Sequence, residues 1–99
     1  MSFVTARPEA LAAAAGTLRA IGSALAAQNA AAAAPTTGVI PAAADQVSIL
    51  TAAQFAAHAQ LYQQVSAQAM AIHEMFVNAL HLSSESYAAT EAANAIAAG

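Results

Sequence analysis

Three histidines, four glutamates, one aspartate and two arginines are the strongly reactive or charged side chains of this 99-residue sequence. Catalysis would need a nucleophile, a base and an orienting acid converging on a pocket, and a metal would need ligands about one helical turn apart. His73 and His81 stand eight residues apart, about 12 Å along a helix axis, and neither is expected to have a carboxylate or histidine three or four positions away that would complete a metal edge; His58 is alone on its turn. Glu74 and Glu85 are read as facing different ways. No glycine-rich phosphate loop, histidine–glutamate zinc motif or serine elbow occurs, and the absence of cysteine removes disulfides and cysteine-ligated zinc. The expectation is a protein that is not an enzyme, with no cofactor and no metal, whose histidines are surface or interface side chains.

The composition narrows the class further. The chain is 60% apolar by count, 7% charged and 5% aromatic, with a net charge of −3. Alanine makes up roughly a third of it, so the large side chains that fill a core are scarce beside those of an ordinary domain. A chain of this size with a thin core is poorly equipped to be stable alone. Arg7 and Arg19 are its only basic residues, too few for a nucleic-acid footprint.

Such a chain needs long elements to bring any side chains together, and proline and glycine mark where those elements end. Pro8 suits a first helical position, where its missing N–H costs nothing, and Glu9 favours the helix dipole. Helix one is expected over about 8–34, with Thr5 or water taking the free amides because Arg7 is a poor cap. Gly16 and Gly22 lie inside it and suggest close approach of another backbone. Residues 35–44, with two prolines, a glycine and two threonines, read as a turn. Asp45, with Ser48 three residues on, resembles a capping box and opens helix two over about 45–82. Residues 83–86 break the pattern, leaving a C-terminal tail over 83–99 in which a short, fraying third helix is expected. At 1.5 Å per residue the two helices would span about 40 and 57 Å, which favours an antiparallel hairpin over a compact globule.

Helical phase assigns the faces. Leu11, Leu18 and Leu25 recur every seven residues with Ile21 between them, a narrow coiled-coil seam. Helix two carries two stripes: Leu61, Val65, Ile72, Met75, Ala79 and Leu82 on one, Phe55, Tyr62, Ala69 and Phe76, continued by Val77 and Leu80, on the other. One alanine-faced helix cannot cover both, so the second stripe is expected to dock another chain, with Phe55, Tyr62, Phe76, Val77 and Leu80 at the interface. Residues 20–34 hold only Ile21 and Leu25 as large apolar groups beside Gln28 and Asn29, too weak to insert in a membrane alone. No cleavable signal peptide is read, because residues 11–15 are followed at once by Gly16, Thr17 and Arg19.

The opening Met1-Ser-Phe-Val, Pro8-Glu9 followed by Ala10-Leu11-Ala-Ala-Ala-Ala, Pro35-Thr-Thr-Gly-Val, Pro41-Ala-Ala-Ala-Asp45 and Ser86-Tyr87-Ala-Ala-Thr-Glu91 together resemble the PE family of mycobacteria across the whole chain. The likeness is to the short members encoded with the ESX-5 type VII secretion locus. It implies a single domain over 1–99, an all-α hairpin that forms an elongated four-helix bundle with a PPE-family partner. The pair would leave the cell through the secretion ATPase, with an EspG chaperone engaging the partner and not this chain. The family's tyrosine-acid export signal maps onto Tyr87 and Glu91, which share one face of a helix. Pro8 and Glu9 match the pair that names the family, yet any helix start favours them. Arg7 departs from the family, standing where relatives often carry a small polar cap. The resemblance thus implies a secreted or cell-surface interaction module. An alternative is a component of an outer-membrane assembly in nutrient uptake, with membrane association.

Overall fold

A computed structural model describes residues 5–99, so Met1 to Val4 of the family-like opening lie outside the described residues. Two helices, α1 (Pro8–Thr37) and α2 (Gln46–Ala98), make up almost all of it, and no strand occurs among the described residues. The chain forms two compact units, Met1–Gly22 with His73–Gly99, and Ser23–Ile72. Each pairs a stretch of α1 with a stretch of α2 in antiparallel sense, the arrangement of a helical hairpin.

Both helices outrun their expected ends, for reasons visible in their hydrogen bonds. At the start of α1 the Arg7 carbonyl accepts the N–H groups of Ala10 and Leu11 at 3.0 and 3.2 Å. At its far end Pro35 sits inside the last turn, where it forfeits only one backbone bond. The Thr36 and Thr37 hydroxyls donate to the carbonyls of Ala32 and Ala33 at 2.6 and 2.7 Å, and the Gly38 N–H donates to Ala34 at 3.0 Å. These bonds serve carbonyls that a helix end would leave open. A Cβ on Gly38 would stand 3.1 Å from the Ala34 oxygen, so glycine lets the chain close on that carbonyl.

Asp45 caps α2 as its type and position suggest. Its carboxylate accepts the Ser48 N–H at 2.8 Å and the Ser48 hydroxyl at 3.0 Å. These bonds, the backbone one foremost, hold the Asp45 carboxyl below its usual pKa. The expected break at residues 83–86, and with it the tail and third helix, gives way to one helix running to Ala98. Ser84 donates its hydroxyl to the His81 carbonyl at 2.6 Å within the helix, and Ser84 is itself 3% exposed, packed where α2 meets α1. His81 and Glu85 meet at 3.2 Å one turn apart. Ser84 is absorbed by packing that its propensity does not reveal, and Ser83 and Ser86 lie exposed on the continuing helix.

The seam between the helices is made of small and polar side chains. On α2 a run of half-buried and buried positions, Ala52, Ala56, Ala59, Gln63, Ser66, Met70, His73, Val77, Leu80 and Ser84, alternates by four and three residues, with Ser48 one step before it and half-buried His81 outside it. That alternation is the seven-residue repeat of a coiled-coil seam. On α1 Leu11, Ala15, Leu18 and Gly22 in the first unit, and Asn29 and Ala32 in the second, follow the same rule. The leucine spacing therefore finds Leu11 and Leu18 of the α1 seam and misses the small and polar residues. Ile21, expected among them, is 53% exposed, and Leu25 is exposed as well. Gly22 is buried, as close approach requires, whereas a Cβ on Gly16 would meet nothing within 4 Å.

Polar bonds fix the register of a seam that has few interlocking large side chains. In the first unit His73 Nε2 lies 2.8 Å from the Leu18 carbonyl. In the second Gln63 donates to the Asn29 carbonyl at 3.1 Å and the Tyr62 hydroxyl to Asn29 Oδ1 at 2.8 Å. A one-turn slip would leave these groups without their partners, at a cost typical of unmade hydrogen bonds.

Candidate functional site

Most large side chains of the two apolar stripes read on helix two are exposed, Val77 and Leu80 being the exceptions, and Tyr62 reaches α1 through its hydroxyl. Leu61, Val65, Ile72, Met75 and Leu82 are exposed, and so are Phe55, Tyr62 and Phe76. At 100° per residue the two sets merge into one sector adjoining the seam. The opposite side of α2 carries Gln60, Gln64, Glu74, Asn78, His81 and Glu85. Thus α2 has three faces: a small-residue seam, an apolar face open to solvent, and a polar one. Val77, expected on the partner-facing stripe, is 3% exposed and belongs to the seam; Leu80 is half-buried beside it. Val77 does not continue the seven-residue series of the aromatics, because the step from Phe76 to Val77 turns the helix by 100° and crosses from one face to the other.

In the unit Ser23–Ile72 the only charged side chain is Asp45, which is engaged in its cap. A cleft of about 420 Å3 runs there between Asn29, Pro35 and Val39 on one side and Phe55, His58 and Tyr62 on the other. Its lining is mostly apolar, with Phe55 and Tyr62 on one side, and Asn29, Thr36 and His58 are its polar groups.

The histidines divide among different settings. His58 lines the cleft, His73 bonds across the seam, and His81 pairs with Glu85, a carboxylate four residues on that the spacing analysis passes over. Glu74 and Glu85, three turns apart, share the polar side of α2 rather than facing apart. No group of three histidine, cysteine or acidic side chains that could hold a metal occurs among the described residues. By length and composition α1 is long and apolar enough to cross a membrane, where residues 20–34 alone are read as too weak. Its many mildly apolar alanines carry that average.

Tyr87 and Glu91 lie inside α2, not on a separate tail, and continue the seam stripe through Val77, Leu80 and Ser84 by steps of three and four. Tyr87 is 50% exposed and Glu91 is exposed. Tyr87 lines a depression of about 410 Å3 together with Thr5, Ala6, Arg7, Ala10 and Leu11. Pro8 is half-buried at the first position of α1, with Glu9 exposed in its first turn.

The chain is an α-helical hairpin with a small-residue seam and an exposed apolar face, and sequence comparison gives it a family. The PE family model matches residues 4–94, and the chain belongs to the PE family. It is 68% identical over 98 residues to the PE family protein PE13 of Mycobacterium tuberculosis, with 99% of each chain covered. It is 58% identical over 98 residues to PE8 of the same species, spanning 99% of this chain and 36% of that one. With the longer PE-PGRS family protein PE_PGRS33 it shares 59% identity over 95 residues, 96% of this chain and about a fifth of the relative.

Proposed function

We infer that this chain is an interaction module: it docks the apolar face of α2 on a PPE-family protein to complete a four-helix bundle. The observation that carries the reading is the open apolar sector of α2 beside a seam already filled by small residues. So much contiguous apolar surface is rare on a soluble monomer. PE family proteins pair with PPE proteins as a class, which supplies a partner of the right kind. Phe55, Tyr62 and Phe76 are the anchors, being large, aromatic and exposed. Leu80 borders the interface, and Val77 supports it from within.

The assembled pair is then exported by a type VII secretion system of the ESX-5 kind and is secreted or held at the cell surface. In this reading an EspG chaperone engages the partner, and the secretion ATPase reads Tyr87 and Glu91. Their spacing places ring and carboxylate one turn apart on a single stripe of α2. The test is co-expression with candidate partners followed by pull-down. The pair should co-purify from wild-type chain, and Phe55→Ala with Phe76→Ala should abolish recovery. Survival of the complex in the double variant would assign the interface to another face.

A second reading, part of an outer-membrane assembly for nutrient uptake, is favoured by the membrane-spanning length and apolar character of α1. The purified pair should then float with liposomes, whereas a purely soluble module stays in the dense fraction.

A further inference from the structure

We propose that the tyrosine–glutamate signal is read as one part of a composite surface that includes Arg7 at the entry of α1. The partner it fits is a protein surface with an aromatic slot flanked by an acidic group for Arg7 and a basic group for Glu91. This deepens the export reading above and rests on it.

Tyr87 does not stand free of the fold. Its side chain borders a shared depression with Thr5, Ala6 and Arg7 of the α1 entry and with Ala10 and Leu11 of its first turns. Glu91 follows one helical turn beyond Tyr87 on the same stripe. The half-exposed ring therefore shares its depression with the cationic residue Arg7, just ahead of α1, and has the anionic Glu91 four residues beyond it on α2 itself. Of the seven charged side chains of the chain, Asp45 alone falls in the other unit. Charge recognition is accordingly confined to the unit that holds the signal.

Two physical consequences follow. A tyrosine carried on a continuous helix has its backbone ordered before binding, so a receptor loses less entropy in fixing it. A receptor that covers Tyr87 also shields Arg7, and a guanidinium taken out of water without an acidic partner opposes binding. Arginine and tyrosine are also the residue types that most often carry binding energy at interfaces. The surface exists only where α1 and α2 are paired, so the receptor distinguishes a folded hairpin from a loose chain bearing the same Tyr-x-x-x-Glu string.

The experiment is export of the chain, co-expressed with its partner in a mycobacterial host, read as the ratio of culture filtrate to cell pellet. Arg7→Ala and Arg7→Glu should lower that ratio by at least about fivefold, as loss of an interface hot spot would. Arg7→Lys, which keeps the charge, should export more than Arg7→Ala. The Arg7 carbonyl, not its side chain, accepts the Ala10 and Leu11 amides, so helix content and partner pull-down should stay at wild-type levels in all three. Tyr87→Ala is the reference variant. If it blocks export while Arg7→Ala and Arg7→Glu export normally, the composite surface is overturned and the tyrosine signal stands. If Tyr87→Ala itself exports normally, the export reading of the pair fails and the composite surface with it.

Discussion

Phe76 and Val77 are adjacent in sequence and have opposite fates. Phe76 is exposed on the apolar face, whereas Val77 is buried in the seam. Phe76→Ala should leave the helix content of the chain unchanged, since exposed substitutions usually alter stability by no more than about 0.5 kcal/mol. It should weaken the complex by about 3–5 kcal/mol if the partner fully buries the ring. Val77→Ala should instead destabilise the hairpin by about 1.5–3 kcal/mol, the range for a buried valine side chain. Circular dichroism melts of the free chain, set beside titration with the partner, distinguish the two effects. Equal effects of both variants on the free chain would mean that the two residues share a face.

Asp45 gives a residue-scale prediction with a defined pH sign. Its carboxyl is held below the usual value of 3.8 by the Ser48 bonds, so folding favours the ionised form. The cap's contribution is complete above that value and is lost as pH falls through the lower folded pKa. Asp45→Ala should therefore be less helical than wild type near neutrality, the difference closing in strong acid. Asp45→Asn keeps a capping oxygen and should show little pH dependence of its own at this site. Thermal melts of the three chains from neutral pH into acid provide the check.

At the scale of elements, α2 runs through the serines that were expected to end it. Ser83 is exposed within uninterrupted helix. Ser83→Pro should remove a backbone bond and clash with the preceding turn, costing about 3 kcal/mol and lowering helix content. A break at residues 83–86 would tolerate proline there, so an unchanged spectrum would contradict a continuous α2. The same continuity changes what is expected of Tyr87. A tyrosine on a tail could be removed without touching the hairpin, but this one is part of α2 and borders a depression with the entry and first turns of α1. Tyr87→Ala should block export with a small loss of thermal stability, while exposed Glu91→Ala should block export with none.

At the scale of the molecule, the buried positions among the described residues are Ala15, Ala52, Ala59, Val77 and Ser84, with Gly22. None is large, and the leucines, isoleucines and aromatics lie mostly outside. Burial of apolar area is the main favourable term in folding, so this hairpin has little of it to set against chain entropy. The free chain should melt below about 50 °C or self-associate, and the partner should raise both helicity and melting temperature, as any ligand of the native state does. A cooperative melt of monomeric free chain above that temperature would show that the hairpin is self-sufficient.

What the sequence determined is helix, punctuation and cap. Alanine-rich runs, Pro8, Asp45 and the proline-flanked turn are local signals, and local signals place helices. It also carried a family likeness that comparison bears out across residues 4–94. Which face turns inward was decided by tertiary structure. Hydrophobic periodicity identifies the side chains that prefer burial, and in a lone chain these are expected to face each other. Here the large apolar residues of α2 point away from α1, and Gly22, Ala15, Ala52, Ala59 and Ser84 line the contact. Small residues bring two backbones close and let Gln63 and His73 reach carbonyls on the opposite helix. That exchange is invisible to a scale that scores each residue alone, because the benefit of alanine or serine in the seam comes from the distance between two helices.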